Sequence, residues 1–141
     1  MMPKRILVGH DGSRDADDAF EMALDFAALF EARLEVASVA TPPEPPTRVE
    51  TEAALEAATR HYEEVFEGLR RRGQARGVEL GTRVLVGHAA DQILRLAAET
   101  SADLIVVGHR GRSAIREWIF GSTSRRVVTH ARCSVLVVRK K

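Results

Sequence analysis

Apolar residues in this chain fall into five short runs rich in β-branched side chains, separated by longer stretches in which apolar positions recur every three or four residues. The runs 6–8, 34–39, 84–86, 104–107 and 135–138 are bounded by Gly, Asp or His and read as strands. Most lack polar alternation, as expected of strands in a parallel sheet covered on both faces. Between them, 13–30 carries Phe20, Ala23, Leu24, Ala27 and Phe30 at helical spacing behind a Ser13 cap. A second helix over 49–76 aligns Leu55, Ala58, Tyr62, Val65, Phe66 and Leu69, and Thr47 with Glu50 three residues on has the form of a capping box. A third, 89–100, presents Ile93, Leu94, Leu96 and Ala97, and a fourth spans 122–131.

Strand and helix therefore alternate from one end to the other, the pattern of an α/β fold with an open, doubly wound sheet and right-handed crossovers. The segment 41–47 holds four prolines and can be neither helix nor central strand, so it reads as a stiff surface connection. No internal repeat or domain boundary is visible. With 141 residues, 45% of them hydrophobic, the expectation is one domain over 1–141 with a substantial core.

Charge and cysteine content narrow the classes of function. Lys plus Arg number 21 against 20 for Asp plus Glu, which provides no net field toward nucleic acid or an anionic membrane. A single cysteine, Cys133, cannot form an intramolecular disulfide and fits a reducing compartment. No signal peptide is recognisable and no apolar run approaches the roughly 20 residues of a membrane span, so a soluble, cytoplasmic protein is expected.

In an open α/β sheet, ligands bind beyond the carboxyl ends of the strands where strand order reverses. The first strand ends in Gly9-His10-Asp11-Gly12-Ser13, which taken alone is an ordinary strand-to-helix turn with a cap. The fourth ends in Gly108-His109-Arg110-Gly111-Arg112-Ser113, followed by Gly121-Ser122-Thr123-Ser124. Glycines there let backbone N–H groups face a phosphate, and the second cluster sets further donors at a helix N-terminus. Asp15, Asp17 and Asp18 open the first helix and would repel an anion, whereas Arg110, Arg112, Arg116, Arg125 and Arg126 cluster near the later loop. Neither Gly-x-x-x-x-Gly-Lys-Ser/Thr nor a Gly-x-Gly-x-x-Gly after the first strand occurs, so a P-loop and a dinucleotide fold are disfavoured.

Gly108, Gly111, Gly121 and Ser122 have the spacing Gly, two residues, Gly, nine residues, Gly, Ser, and in this the chain resembles the ATP-binding branch of the universal stress protein family. The resemblance extends over 6–13, 87–93, 103–108 and 121–138. It implies a five-stranded parallel sheet of order 3-2-1-4-5 with helices on both faces, of the adenine nucleotide alpha hydrolase type. It also implies a homodimer formed through the last strand, Val135, Leu136, Val137 and Val138, which would cover an apolar edge. The family's adenine and ribose contacts fall on Gly9, His10, Asp11 and Val39. Its ribose and phosphate contacts fall on Val107, Gly108, Arg110, Gly111, Gly121, Ser122, Thr123 and Ser124. The implied ligand is ATP or AMP, with Mg2+ bridging the phosphates. Two positions depart from the family pattern: Gly9 stands where proline is common, which bears on the shape of the adenine pocket, and Ser134 replaces the usual proline before the last strand.

The implied function is a nucleotide-dependent stress-response module without catalytic residues. Two alternatives stay open: a slow ATPase or adenylate-handling enzyme, for which Glu117 is the nearest candidate base, and a nucleotide-free dimeric signalling module. His61, His88 and His130 lack metal-ligand spacing, with His130 expected at a helix end, and Cys133 reads as a buried inert thiol. Trp118 and Phe120 read as loop packing ahead of a partner-facing patch.

Overall fold

The computed structural model describes residues 2–42, 44, 47–109 and 121–139, so Pro43, Pro45 and Pro46 of the proline-rich connection lie outside it. The elements follow as β1 (Arg5–Gly9), α1 (Arg14–Phe30), β2 (Arg33–Ala40), α2 (Arg48–Ala75), β3 (Leu80–Val86), α3 (Ala89–Thr100), β4 (Leu104–Gly108), α4 (Ser122–His130) and β5 (Ser134–Val138). All strands are parallel, in the order β3-β2-β1-β4-β5. No helix among the described residues is long and apolar enough to cross a membrane.

Alternation along the strands divides the core into two layers. Ile6, Val8, Leu34, Val36, Leu104 and Val106 meet Phe20, Ala23, Leu24 and Ala27 of α1 and Tyr62, Phe66 and Leu69 of α2. Leu7, Ala37, Ile105 and Val107 face the other way, against Ile93, Leu96 and Ala97 of α3 and Val127 of α4. Both faces of β1 and β4 are thus dry, which is why these strands read as continuous apolar runs.

The starts of α1 and α2 are fixed by side-chain caps. Ser13 Oγ accepts from Ala16 N–H at 3.1 Å. At the start of α2, Thr47 Oγ1 accepts from Glu50 N–H and Glu50 accepts from Thr47 N–H, both at 3.1 Å, completing the capping box. The apolar stripe of α2 becomes buried only from Tyr62 onward, and Leu55 is 40% exposed. β3 starts at Leu80, four residues ahead of the run that marks it in sequence. Leu80 to Arg83 alternate between partly buried and exposed on this edge strand, and Arg83 pairs with Glu35 at 2.7 Å while Arg70 donates to Thr82 Oγ1 at 2.8 Å. Its polar positions are satisfied across the neighbouring elements, so apolar content alone understates the strand.

Candidate functional site

β1 lies between β2, which precedes α2, and β4, reached by crossing to the opposite side of the sheet. The crevice at the carboxyl ends of β1 and β4 is therefore the switch point of the strand order. A cavity of about 490 Å3 opens there. Its floor is Gly9, His10 and Asp11 after β1, Ala37 and Val39 of β2, and Val107 and Gly108 of β4, and Gly121, Ser122, Thr123 and Ser124 form one wall. Apart from Ala37, these are the site residues expected from sequence, gathered around one pocket. Arg110 and Gly111, with Arg112, Arg116, Glu117, Trp118 and Phe120, lie outside the described residues.

Strand geometry determines what Val39 offers. Ala37 turns its backbone toward β1, since its C=O accepts from His10 N–H at 2.9 Å, whereas Ala40 turns toward β3 and accepts from Gly87 N–H at 2.9 Å. With a period of two, Val39 shares the side of Ala37. The register of β1 with β2 ends at Gly9 opposite Ala37, so the N–H and C=O of Val39 face the crevice beyond the end of β1. They present a donor and an acceptor side by side.

The loop after β1 is held by its own side chains. His10 is 4% exposed, and its C=O accepts from Ser38 Oγ at 2.6 Å. Gly12 N–H donates to His10 Nδ1 at 3.0 Å and Ser13 N–H donates to Asp11 Oδ1 at 2.9 Å. Gly12 adopts φ +85, a conformation that excludes most L side chains. Burial, above all, holds the His10 imidazole below its ordinary value of 6.5, against the hydrogen bond and charge of Asp17 and the charge of Asp11. Asp17 is itself partly buried, which opposes ionisation. Arg72 and then His10 outweigh that and keep its carboxyl below the usual 3.8.

Opposite this loop, Gly108 passes close to α1, where a Cβ would lie 2.7 Å from the C and O of Asp15. Ser124, 4% exposed, donates its hydroxyl to the Gly108 carbonyl. His109 is equally buried but does not line the cavity. Its N–H donates to Val138 C=O at 2.9 Å and its C=O accepts from Gly121 N–H at 3.0 Å, tying β5 to the start of α4. Gly121 caps α4 without a side-chain bond, and no acid occupies the first turn, in contrast to α1 with Ser13, Asp15 and Asp17. The first-turn N–H groups of α4, beside Ser122 and Thr123, carry the positive end of the helix dipole to the cavity.

Several expectations change. Arg125 and Arg126 do not line the cavity, and Arg126 instead donates to Asp91 Oδ1 of α3 at 2.8 Å. They sit beyond the first two residues of α4, so the helix turns them away from its N-terminal end. Cys133 is only partly buried, and that burial raises its pKa above 9.0, as for an inert thiol. Ser13, Ala16, Ala89 and Ile93 line the cavity without having been marked by sequence. Ile93 fills the space at Gly9, its Cδ1 lying 2.7 Å from where a Cβ would be.

A family model described as the universal stress protein family matches residues 2–139. A universal stress protein of Staphylococcus aureus is 34% identical over 139 residues, covering 96% of this chain and 84% of its own. Among solved structures, the universal stress protein UspA from Lactobacillus plantarum superposes with a TM-score of 0.87 at 28% identity, over 96% of this chain and 97% of that one. A universal stress protein in complex with cAMP superposes with a TM-score of 0.79 at 26% identity over 100% of both chains. By sequence and by fold, this chain belongs to the universal stress protein family.

Proposed function

We propose that the chain is a cytoplasmic adenine-nucleotide-binding module that holds ATP or AMP as part of a stress response. The observation that carries this reading is the pairing of Val39 with the uncapped start of α4 across one cavity. The Val39 N–H matches the acceptor N1 of adenine and its C=O matches the donor N6, while the N–H groups of Ser122, Thr123 and Ser124 suit phosphate oxygens. A volume of about 490 Å3 is within the usual range for small-ligand sites. The related protein with bound cAMP supports the same ligand class. Gly9, His10, Asp11, Val107 and Gly108 would line the nucleoside and ribose, with Arg110 and Gly111 continuing the phosphate loop.

Among the described residues, no three acid, His or Cys side chains gather as a metal site. The donor set fits a Mg2+ held mainly by phosphate oxygens and water, with Asp11 the one carboxylate in the described lining. Mg2+ would neutralise phosphate charge, and the chain's own part is to orient the nucleotide. Binding rather than turnover suits Asp11, whose Oδ1 already accepts from Ser13 N–H. β5 forms an edge of the sheet with Val135, Leu136 and Val137 only partly buried, which supports pairing with a second copy there.

The test is to denature the purified protein, identify any nucleotide it carried, and titrate the stripped protein with ATP and Mg2+. Carried ATP or AMP, together with a rise in unfolding free energy of about 2.7 kcal/mol at a hundredfold excess of ligand over Kd, is the expected result. No carried nucleotide and an unchanged Tm would overturn the reading in favour of a nucleotide-free dimer.

A further inference from the structure

Four polar residues are buried among those described: His10, Ser38, His109 and Ser124. The two serines bond to neighbouring carbonyls, and the backbone of His109 ties β5 to α4. His10 does something further, because its ring joins the pocket loop to a charged chain that reaches the surface. Nδ1 accepts from Gly12 N–H, which leaves Nε2 as the protonated nitrogen of the neutral ring, donating to Asp17 Oδ1 at 3.3 Å. The same oxygen accepts from Arg72 Nη2 at 2.7 Å. Arg72 also bonds Glu21 and lies over the Phe20 ring, 4.9 Å from its centroid. Arg72 belongs to α2, a helix that contributes nothing to the cavity lining.

We infer that Arg72 is a positioning residue for the pocket: through Asp17 it fixes the His10 ring, through that ring the turn at Gly12, and so it couples the α1–α2 interface to nucleotide affinity. This inference rests on the adenine-nucleotide reading of the cavity. Its physical basis is the acceptor at Nδ1. A doubly protonated ring would bring a donor against the Gly12 N–H and break the bond that holds the left-handed turn. Among the described charged groups acting on the ring, Asp17 and Asp11 favour that protonation and Arg72 opposes it, with burial opposing it most. Removing Arg72 leaves the Asp17 carboxylate without its guanidinium partner. The ring then protonates more readily and the turn loosens.

Arg72→Met keeps an apolar stem over Phe20, and the Arg72 side chain is 37% exposed, so no buried hole results. The His10 ring signal is followed by NMR as pH falls without ligand, and ATP–Mg2+ affinity is measured with and without His10→Asn. An asparagine oxygen can still accept from Gly12 N–H, as in an Asx turn, but does not titrate. The expected result for Arg72→Met is a His10 midpoint about one pH unit higher, with ATP affinity nearly unchanged at pH well above both midpoints and about tenfold weaker than in the unsubstituted protein at pH below them. In the presence of His10→Asn, Arg72→Met is expected to have little further effect. An unchanged midpoint overturns the inference, as does an equal loss of affinity with and without His10→Asn, the signature of a merely structural role. Thermal unfolding of each variant confirms that it is folded. If the unsubstituted protein binds no adenine nucleotide, the functional reading and the affinity link both fall, while the ligand-free midpoint still decides whether Arg72 governs the ring.

Discussion

Gly108→Ala tests the closest backbone approach at the pocket. A Cβ at this position would lie 2.7 Å from the backbone C and O of Asp15 and 3.0 Å from its Cβ. Ordinary carbon contacts begin near 3.5 Å, so the first turn of α1 must retreat by about 0.8 Å. The obstacle is backbone, which no rotamer change relieves, and overpacking of this kind costs about 1 to 3 kcal/mol. An unfolding entropy of about 2.1 cal/mol/K per residue gives about 0.3 kcal/mol/K for 141 residues, so Tm should fall by about 3 to 10 °C. That first turn carries Ser13 and Ala16 into the cavity wall, and ATP affinity should fall with it. Gly9→Ala provides the contrast. Its Cβ would meet the tip of Ile93 at 2.7 Å, and a side-chain tip can rotate away. Tm should then change by less than about 3 °C while ATP affinity drops, because the displaced Ile93 takes up cavity space. Differential scanning calorimetry and an ATP titration on both variants separate the two effects. A Tm for Gly108→Ala equal to that of the unsubstituted protein would refute the close approach of β4 to α1.

Ser124→Ala removes the buried hydroxyl that donates to the Gly108 carbonyl and should cost about 1 to 3 kcal/mol in urea unfolding, with an unchanged m-value. GTP presents a donor at N1 and an acceptor at O6, the reverse of what the Val39 backbone offers. Calorimetric titration should therefore show it binding at least about a hundredfold more weakly than ATP, given two mismatched buried hydrogen bonds. His10 has a lowered folded pKa, so above its ordinary value of 6.5 folded and unfolded states are both neutral and stability is full. As pH falls below that value the unfolded state takes up a proton that the folded state resists, and stability declines. His10→Asn should flatten this slope in chemical unfolding between about pH 7 and about pH 5. Asp17, lowered from 3.8, loses its contribution only at more acid pH, as its folded carboxylate becomes protonated.

The strands and helices were legible wherever one physical requirement dominated. β1 and β4 are dry on both faces and show as unbroken apolar runs, and α3 begins and ends at the residues its periodicity predicts. The Thr47–Glu50 capping box was equally plain, because it depends on two residue types at a fixed spacing. Legibility failed where partners far along the chain decide the outcome. Leu80 to Arg83 become strand because β2 pairs with them and because Glu35 and Arg70 reach their polar side chains. Leu55 shares the apolar stripe of α2, yet that end of the helix is not covered by the sheet, so periodicity reports a face without reporting its burial.

The candidate site divides along the same line. Glycines mark places where the backbone must come close, and Gly108 and Gly121 were therefore visible as a pair of clusters before their place in the pocket was known, whereas Gly9 was marked only through the resemblance. What Val39 offers is a backbone donor and acceptor, identical in every residue except proline. It became meaningful only when the register of β1 showed that the strand stops two residues short of it. The resemblance pointed to that position, but only the end of β1 explains it. His10 shows the opposite case. The resemblance placed it among the ligand contacts, and while it lines the cavity its ring also holds Gly12 on one side and Asp17 on the other. The partner that completes the arrangement, Arg72, comes from α2, 62 positions further along the chain, in a run of arginines that sequence offers no reason to distinguish. In this pocket the ligand-facing chemistry is carried largely by backbone, and the distinctive side chains serve to hold that backbone in place.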